Sequence, residues 1–297
     1  MSSGRAPSTV GPAACRPGVV PGGIPCSPPN AIVYNRGELY LAWGRNVGGV
    51  SVLVDESLCV GCGLCLDYCP VQAISMPGPV ITIDQEICVE CDVCWRSGIC
   101  PTGAFVLPNL QWPRIVRRKF SDPLIPHDLT GVPGRGTEEM KTNDVTGRYG
   151  PGQVGIAVEM GRPGISTSFA AVQQVTRMLA RLGVQFEPQN PVTGFMMNVT
   201  TGDLHPDLLN ERALSAIIEC TVPAERAPQV LAALRDIAPI LDTVFSLDIV
   251  SLAGDTPAGS LAAKIARAAG FQPSLNGKTN AGLGRPLARL LEEGDAR

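Results

Sequence analysis

The clearest periodic patterns of apolar residues lie in the second half of the chain. Residues 166–182 place apolar side chains at helical spacing and stop at Gly183, which predicts an amphipathic helix. Residues 223–238 repeat that spacing and predict a second helix. Apolar runs that predict strands occur at 154–160, 193–200, 213–222 and 244–252. Two short helices are expected near 259–269 and 286–293.

This order of strands and helices predicts a split βαβ (ferredoxin-like) α/β sandwich over residues 153–297, including the C-terminal helices. The preceding stretch, 108–152, is polar and rich in Gly and Pro, and we interpret it as a linker. Residues 31–107 begin with a predicted hairpin and continue into a cysteine-rich module. Residues 1–30 are rich in Pro, Gly and Ser and predict an irregular arm. The expected fold class is α+β.

Composition narrows the function classes. Apolar residues make up 44% of the 297 positions and charged residues 17%, so a buried core is available. The formal net charge of −3 provides no electrostatic reason to expect nucleic acid as a partner. The chain contains neither an apolar run of about 18 residues nor a secretory leader pattern. We therefore expect no membrane span and a cytoplasmic location.

Eight of the eleven cysteines fall within residues 59–100. Disulfide scaffolds are typical of short secreted chains, so thiols crowded into a long chain of this kind indicate metal binding. The first motif is a C-x₂-C-x₂-C-x₃-C-P run formed by Cys59, Cys62, Cys65, Cys69 and Pro70. Gly61 and Gly63 permit the positive φ angles that let the loop wrap a cubane.

The second motif keeps the spacing of its first three cysteines but has five residues before the last one. Its members are Cys88, Cys91, Cys94 and Cys100, followed by Pro101. In two-cluster proteins the fourth cysteine of each motif ligates the other cluster. The spacing therefore assigns one [4Fe-4S] cluster to Cys59, Cys62, Cys65 and Cys100. It assigns the other to Cys88, Cys91, Cys94 and Cys69.

Structural zinc is the alternative use of these thiols. Zinc sites usually take two separated C-x₂-C pairs or mix cysteine with histidine. Here each motif has three closely spaced cysteines and a Cys-Pro, and the two histidines, His127 and His205, are remote in sequence. The pattern favours iron–sulfur clusters.

Residues 50–107 resemble the bacterial-type ferredoxins with two [4Fe-4S] clusters, including an aspartate, Asp55 or Asp84, shortly before each motif. The resemblance implies two clusters close enough for one-electron hopping. The two loops differ in charge, since Glu90 and Asp92 flank Cys91 where glycines flank the corresponding Cys62. Because a carboxylate disfavours an added electron, we hypothesise that the second-loop cluster has the lower potential.

Two polar segments outside the cysteine motifs are candidate functional sites. Residues 131–148 form either a solvated linker or a substrate or partner loop. The basic cluster after the module is either a solvated face or a docking site for an acidic redox partner, and it comprises Arg114, Arg117, Arg118 and Lys119.

Residues 131–139, 159–164 and 282–286 resemble the region after the ferredoxin domain in 6-hydroxynicotinate reductase-like proteins. That family implies ferredoxin-linked reduction of an N-heteroaromatic ring, with iron–sulfur clusters and with flavin as a candidate cofactor, although no flavin motif appears in this sequence. The resemblance suggests seven residues as contacts for a small polar N-heterocyclic substrate. They are Arg135, Glu138, Glu139, Lys141, Asn143, Asp144 and Arg162.

Three functions are open at this stage. The chain is an electron-transfer protein or subunit that passes low-potential electrons to a redox partner or catalytic subunit. Alternatively, it is a reductase that binds an organic substrate beside its clusters. A third hypothesis is a regulatory domain that uses the clusters as sensors. The first is favoured, because no organic redox cofactor site is visible in the sequence.

Overall fold

A computed structural model describes residues 51–134, 149–162, 165–252 and 260–274. The predictions for the irregular arm, for the N-terminal hairpin, for residues 135–148 and for the last helix lie outside these ranges. Within the described residues, helices and strands are mixed along the chain, in agreement with the expected α+β class.

The cysteine-rich part is built from two short antiparallel strand pairs that interlock its two repeats. The strands are β1 (Leu53–Val54), β2 (Ile74–Ser75), β3 (Thr82–Ile83) and β4 (Phe105–Val106). β1 pairs with β4, so the start of the first repeat lies beside the end of the second. β2 pairs with β3, which joins the end of the first repeat to the start of the second. A short helix, α1 (Val93–Arg96), begins in the second cysteine loop.

A second helix, α2 (Ile115–Ser121), lies inside the stretch interpreted as a linker. Val116 and Phe120, one helical turn apart, are buried in the main hydrophobic core. The Phe120 ring packs edge-on against Phe169 with 5.3 Å between ring centroids. The described part of this stretch therefore holds a packed helix, contrary to the sequence interpretation.

The remaining elements follow in chain order. They are β5 (Gln153–Met160), β6 (Thr167–Ser168), α3 (Phe169–Arg181), β7 (Gln185–Phe186), α4 (Pro191–Gly194), β8 (Met196–Asn198), β9 (Asp203–Leu204), β10 (Arg212–Ala213), β11 (Ala216–Pro223), α5 (Ala227–Ile237), β12 (Phe245–Val250) and α6 (Leu261–Ala268). The side chain of Ser168 caps α3 by accepting a hydrogen bond from the Ala171 N–H.

Four of these strands form an antiparallel sheet in the order β12-β5-β11-β7. Alternate residues of β5, from Val154 to Met160, point towards one face because successive strand side chains point to opposite sides. On that face they pack against the apolar sides of α3 and α5. The fold therefore has a sheet layer and a helix layer, and α2 adds its apolar residues to the same core.

One predicted strand is confirmed only over Met196–Asn198 and does not join the main sheet. Residues 193–200 were expected to form a strand of the sheet, but Pro191–Gly194 is a turn of helix whose N-terminus is capped by Asn190. The strand after it, β8, pairs with β9 and lies outside the four-stranded sheet. The fourth strand of the sheet is instead β7, which pairs with β11. The predicted helix at 223–238 begins later, at Ala227, because Pro223 still belongs to β11.

Candidate iron–sulfur site

The cysteines of the two motifs line two cavities, and each cavity takes three cysteines from one loop and one from the other. The first site encloses about 330 Å³ of space not filled by atoms, open solvent included, and is lined by Cys59, Cys62, Cys65 and Cys100. The second site encloses about 360 Å³ by the same measure and is lined by Cys69, Cys88, Cys91 and Cys94. All eight are free thiols.

The interlocked strands explain why the fourth cysteines are exchanged. The N–H of Asp55, at the start of the first repeat, donates to the carbonyl of Ala104 at 2.8 Å. The N–H of Asp84, at the start of the second repeat, donates to the carbonyl of Ala73, also at 2.8 Å. Each contact brings the tail of one repeat, and its last cysteine, beside the opposite loop.

The tails also hydrogen-bond the exchanged sulfurs in equivalent ways. The N–H of Ala73 lies 3.1 Å from Cys69 Sγ, and that of Ala104 lies 3.3 Å from Cys100 Sγ. Burial raises the pKa of Cys100, but hydrogen bonds from Thr102, Ala104 and Gly103 outweigh it and leave that pKa below its ordinary value. Donors aimed at sulfur stabilise the thiolate that ligates iron.

The two loops adopt the same backbone turns with different residues. In the first loop the positive φ angles belong to Gly61 (+63°) and Gly63 (+73°). In the second loop they belong to Glu90 and Asp92, both at +56°. A non-glycine residue in this conformation costs about 1–2 kcal/mol. The side chains of Glu90 and Asp92 must therefore make contacts that offset this cost.

The cysteines of the two sites differ in burial and in thiol pKa. Cys62 of the first site is exposed, whereas desolvation raises the pKa of Cys91 to about 11 and that of Cys94 to about 12 in the second site. Desolvation also raises the pKa of Cys65 and of Cys88. A metal must displace protons from such thiols, and the second site holds them more strongly.

Residues 52–75 match the family model of the 4Fe-4S binding domain. The match covers β1, the whole first cysteine motif and β2. No curated protein and no solved structure matches the chain. The segment is therefore of ferredoxin type and binds at least one [4Fe-4S] cluster, which supports a role in iron–sulfur electron transfer. None of the helices in the described ranges has the length and apolar character needed to cross a bilayer.

The cysteine-lined cavities fit such a group. Four thiols surround each cavity, and the tail N–H groups point at sulfur. Within the described ranges, no three His, Cys, Asp or Glu side chains converge as they would around a single metal ion. The thiols stand around the cavity walls instead.

Helix α2 is the functional element that sequence reasoning missed. Arg114 Nε donates to Glu90 Oε1 at 2.8 Å, and Arg118 Nη2 donates to Asp92 Oδ1 at 3.2 Å. The Glu90 side chain is fully buried (0% exposed) and also accepts from the Ser51 hydroxyl. These contacts hold the second loop in its left-handed turns. Burial still raises the pKa of Asp92, although Arg118 acts in the opposite direction.

Arg117, which is only 2% exposed, ties the second loop to the α/β part of the chain. Its Nη1 donates to the carbonyls of Gln85, Glu86 and Cys88 at 3.0, 3.1 and 2.7 Å. Its Nε donates to the carboxylate of Glu211.

Three members of the predicted basic cluster therefore point inward. They form neither a solvated face nor a docking surface, and only Lys119, paired with Asp128, lies nearer the surface. The i, i+3, i+4 spacing of Arg114, Arg117 and Arg118 was the available sequence signal for one polar helix face.

Six of the seven predicted substrate contacts lie outside the described residues. Those outside the described residues are Arg135, Glu138, Glu139, Lys141, Asn143 and Asp144. Arg162 is described, lies 3.7 Å from Glu159, and is not among the residues that line either cysteine cavity. Cys220 is a buried thiol of β11 and belongs to the hydrophobic core.

Proposed function

We propose that the chain carries low-potential electrons through two [4Fe-4S] clusters, one in each site, and exchanges them with a redox protein partner. The observation that carries the proposal is the grouping of eight cysteines into two sets of four by exchange of Cys69 and Cys100. The family match covers the first loop, and the equivalent geometry of the second loop supports a second cluster there.

The exposure of the first site supports it as the point of electron exchange. Cys62 reaches the surface, and two apolar neighbours beside it, Val60 and Leu64, are 66% and 53% exposed. None of the four cysteines of the second site is fully exposed: Cys91 is buried, and Cys69, Cys88 and Cys94 are half-buried. We infer that the partner contacts the first loop and that the second cluster is the interior member of the pair.

The rest of the chain is proposed to act as the body that holds the second loop. The element order β5-α3-β7-β11-α5-β12 and the antiparallel sheet support a split βαβ sandwich. Its link to the clusters is α2, whose apolar residues enter the core of the sandwich while its arginines contact the second loop.

Anaerobic reconstitution tests the number of clusters. We expect about eight irons and about eight acid-labile sulfides per chain, and an EPR spectrum of two interacting reduced clusters. A reconstituted chain with about four irons would overturn the two-cluster proposal and leave a single-cluster protein.

Single Cys→Ser variants test the exchange of ligands. Cys62→Ser and Cys100→Ser should perturb the same cluster, and Cys91→Ser and Cys69→Ser should perturb the other. If Cys69→Ser instead behaves like Cys62→Ser, each motif binds its own cluster and the proposed arrangement is wrong.

A further inference from the structure

The carboxylates of the second loop do not act alone on a bound cluster. Glu90 and Asp92 flank Cys91, and both are buried. Each faces one arginine of α2, with side-chain distances of 2.8 Å for Arg114 to Glu90 and 3.0 Å for Arg118 to Asp92. In the first loop the corresponding residues are Gly61 and Gly63, which bring no charge.

Pairing changes the electrostatic consequence of these carboxylates. A buried carboxylate raises the free energy of adding an electron nearby, and an arginine in contact with it supplies a charge of opposite sign at nearly the same distance. The electrostatic fields of the carboxylate and the arginine then largely cancel at the cluster. From the sequence, the two carboxylates alone predicted a lower potential for the second-loop cluster; in the fold, each carboxylate is paired with an arginine.

We propose that Arg114 and Arg118 are positioning residues that hold the reduction potential of the second-site cluster up by neutralising Glu90 and Asp92. The inference rests on the proposed function, because it needs a cluster in the second site. The arginines act through the carboxylates, and they contact these side chains across 24 and 26 positions of sequence.

A charge cycle on the Glu90–Arg114 pair tests the proposal, with the midpoint potential as its readout. Anaerobic potentiometric EPR would follow the transition that is perturbed in Cys91→Ser. Arg114→Gln should lower this potential by at least a tenfold change in the reduction equilibrium, or about 59 mV for one electron. Glu90→Gln should raise it, and the double variant should return close to the wild-type value.

Lys119→Gln is the matched control. It removes one positive charge from the same helix, but Lys119 pairs with Asp128 and not with the cysteine loop. The midpoint potentials of both clusters should be unchanged in Lys119→Gln. The first-site transition should also stay in place in all the variants.

Two results would overturn the inference. One is an Arg114→Gln chain that holds both clusters at unchanged potentials. The other is a double variant displaced as far as Arg114→Gln, because a purely structural arginine would not be rescued by removing its partner's charge.

The Asp92–Arg118 pair provides an independent cycle should Arg114→Gln fail to fold. Asp92→Asn tolerates the left-handed backbone, and Arg118→Gln should again lower the potential, with the double variant restoring it. A restored potential supports the inference, and an unrestored one contradicts it. Failure of the proposed function would be distinct, because the wild-type chain itself would then lack the second transition and its iron.

Discussion

The two cysteine loops share the spacing of three thiols and the same left-handed turns, yet different contacts hold them. In the first loop glycine makes the turn, and at Gly61 an added Cβ would lie 2.1 Å from the carbonyl oxygen of Pro79. In the second loop Glu90 and Asp92 make the turn and are held by arginines from another element. The first loop is thus shaped by its glycines, one of which lies close to the backbone of Pro79, and the second depends on its attachment to the α/β body.

That comparison predicts that α2 matters for one site only. Arg117→Met should destabilise the chain by about 3–5 kcal/mol, because it leaves Glu211 and the loop carbonyls without their donor. The variant should lose the second cluster and keep the first. Chemical denaturation and site-resolved EPR would measure both effects.

Lys119→Met is the control for Arg117→Met. It lies on the same helix in a more exposed pair, so its effect on stability should stay within about 0.5 kcal/mol. Equal loss of both clusters in Arg117→Met would show that the first loop also depends on α2.

The thiols of the cluster-free chain should differ in reactivity. Burial raises the pKa of Cys91 to about 11, against 9.0 for an ordinary thiol. At pH 8 its thiolate fraction is therefore about a hundredfold smaller than that of an ordinary thiol. Cys100, whose pKa is lowered, should be alkylated before Cys91. Peptide mass spectrometry after timed iodoacetamide treatment would measure the rates.

Alkylation of both thiols should rise with pH, because the thiolate is the form that reacts. Between pH 8 and pH 10, alkylation of Cys91 should rise about tenfold per pH unit, because the thiolate is a small fraction throughout. Alkylation of Cys100 should level off at a lower pH. Equal rates at the two thiols would contradict the burial argument.

The first loop should be sensitive to its glycine. Gly61→Ala adds the positive-φ cost of about 1–2 kcal/mol and a contact with backbone that cannot move aside cheaply. We expect reduced iron in the first site and an intact second site, measured by iron content and EPR.

Gly131→Ala separates the two causes. Gly131 also has a positive φ, +69°, but no atom of the described residues lies within 4 Å of an added Cβ. It should show only the backbone cost. If Gly61→Ala lowers the free energy of unfolding by no more than Gly131→Ala does, the contact with Pro79 is unimportant.

The smallest expected effect concerns oxidation. Because Cys62 is exposed and Cys91 is buried, the first cluster should be lost in air severalfold faster than the second. The decay of each EPR signal during controlled exposure to air would show the order. A faster loss of the second signal would reverse the comparison.

The predictable features were those encoded by neighbouring residues. The cysteine spacing indicated both loops, and periodic apolar residues located β5, α3, α5 and β12 within a few positions. Only Met196–Asn198 of the strand expected at 193–200 is extended, because Asn190 and Pro191 begin a helical turn that includes its first residues. Helix α2 was missed because only two of its positions, Val116 and Phe120, contribute deeply buried apolar side chains, among polar neighbours.

By itself, the sequence determined which thiols belong to each loop, where the chain can turn, and that the class is α+β, since each depends on residues close together along the chain. Tertiary structure decided the surroundings of the second loop. Glu90 and Asp92 look like uncompensated charges until folding brings Arg114 and Arg118 against them from a separate helix. An ion pair depends on distance in space, and no local pattern encodes that distance.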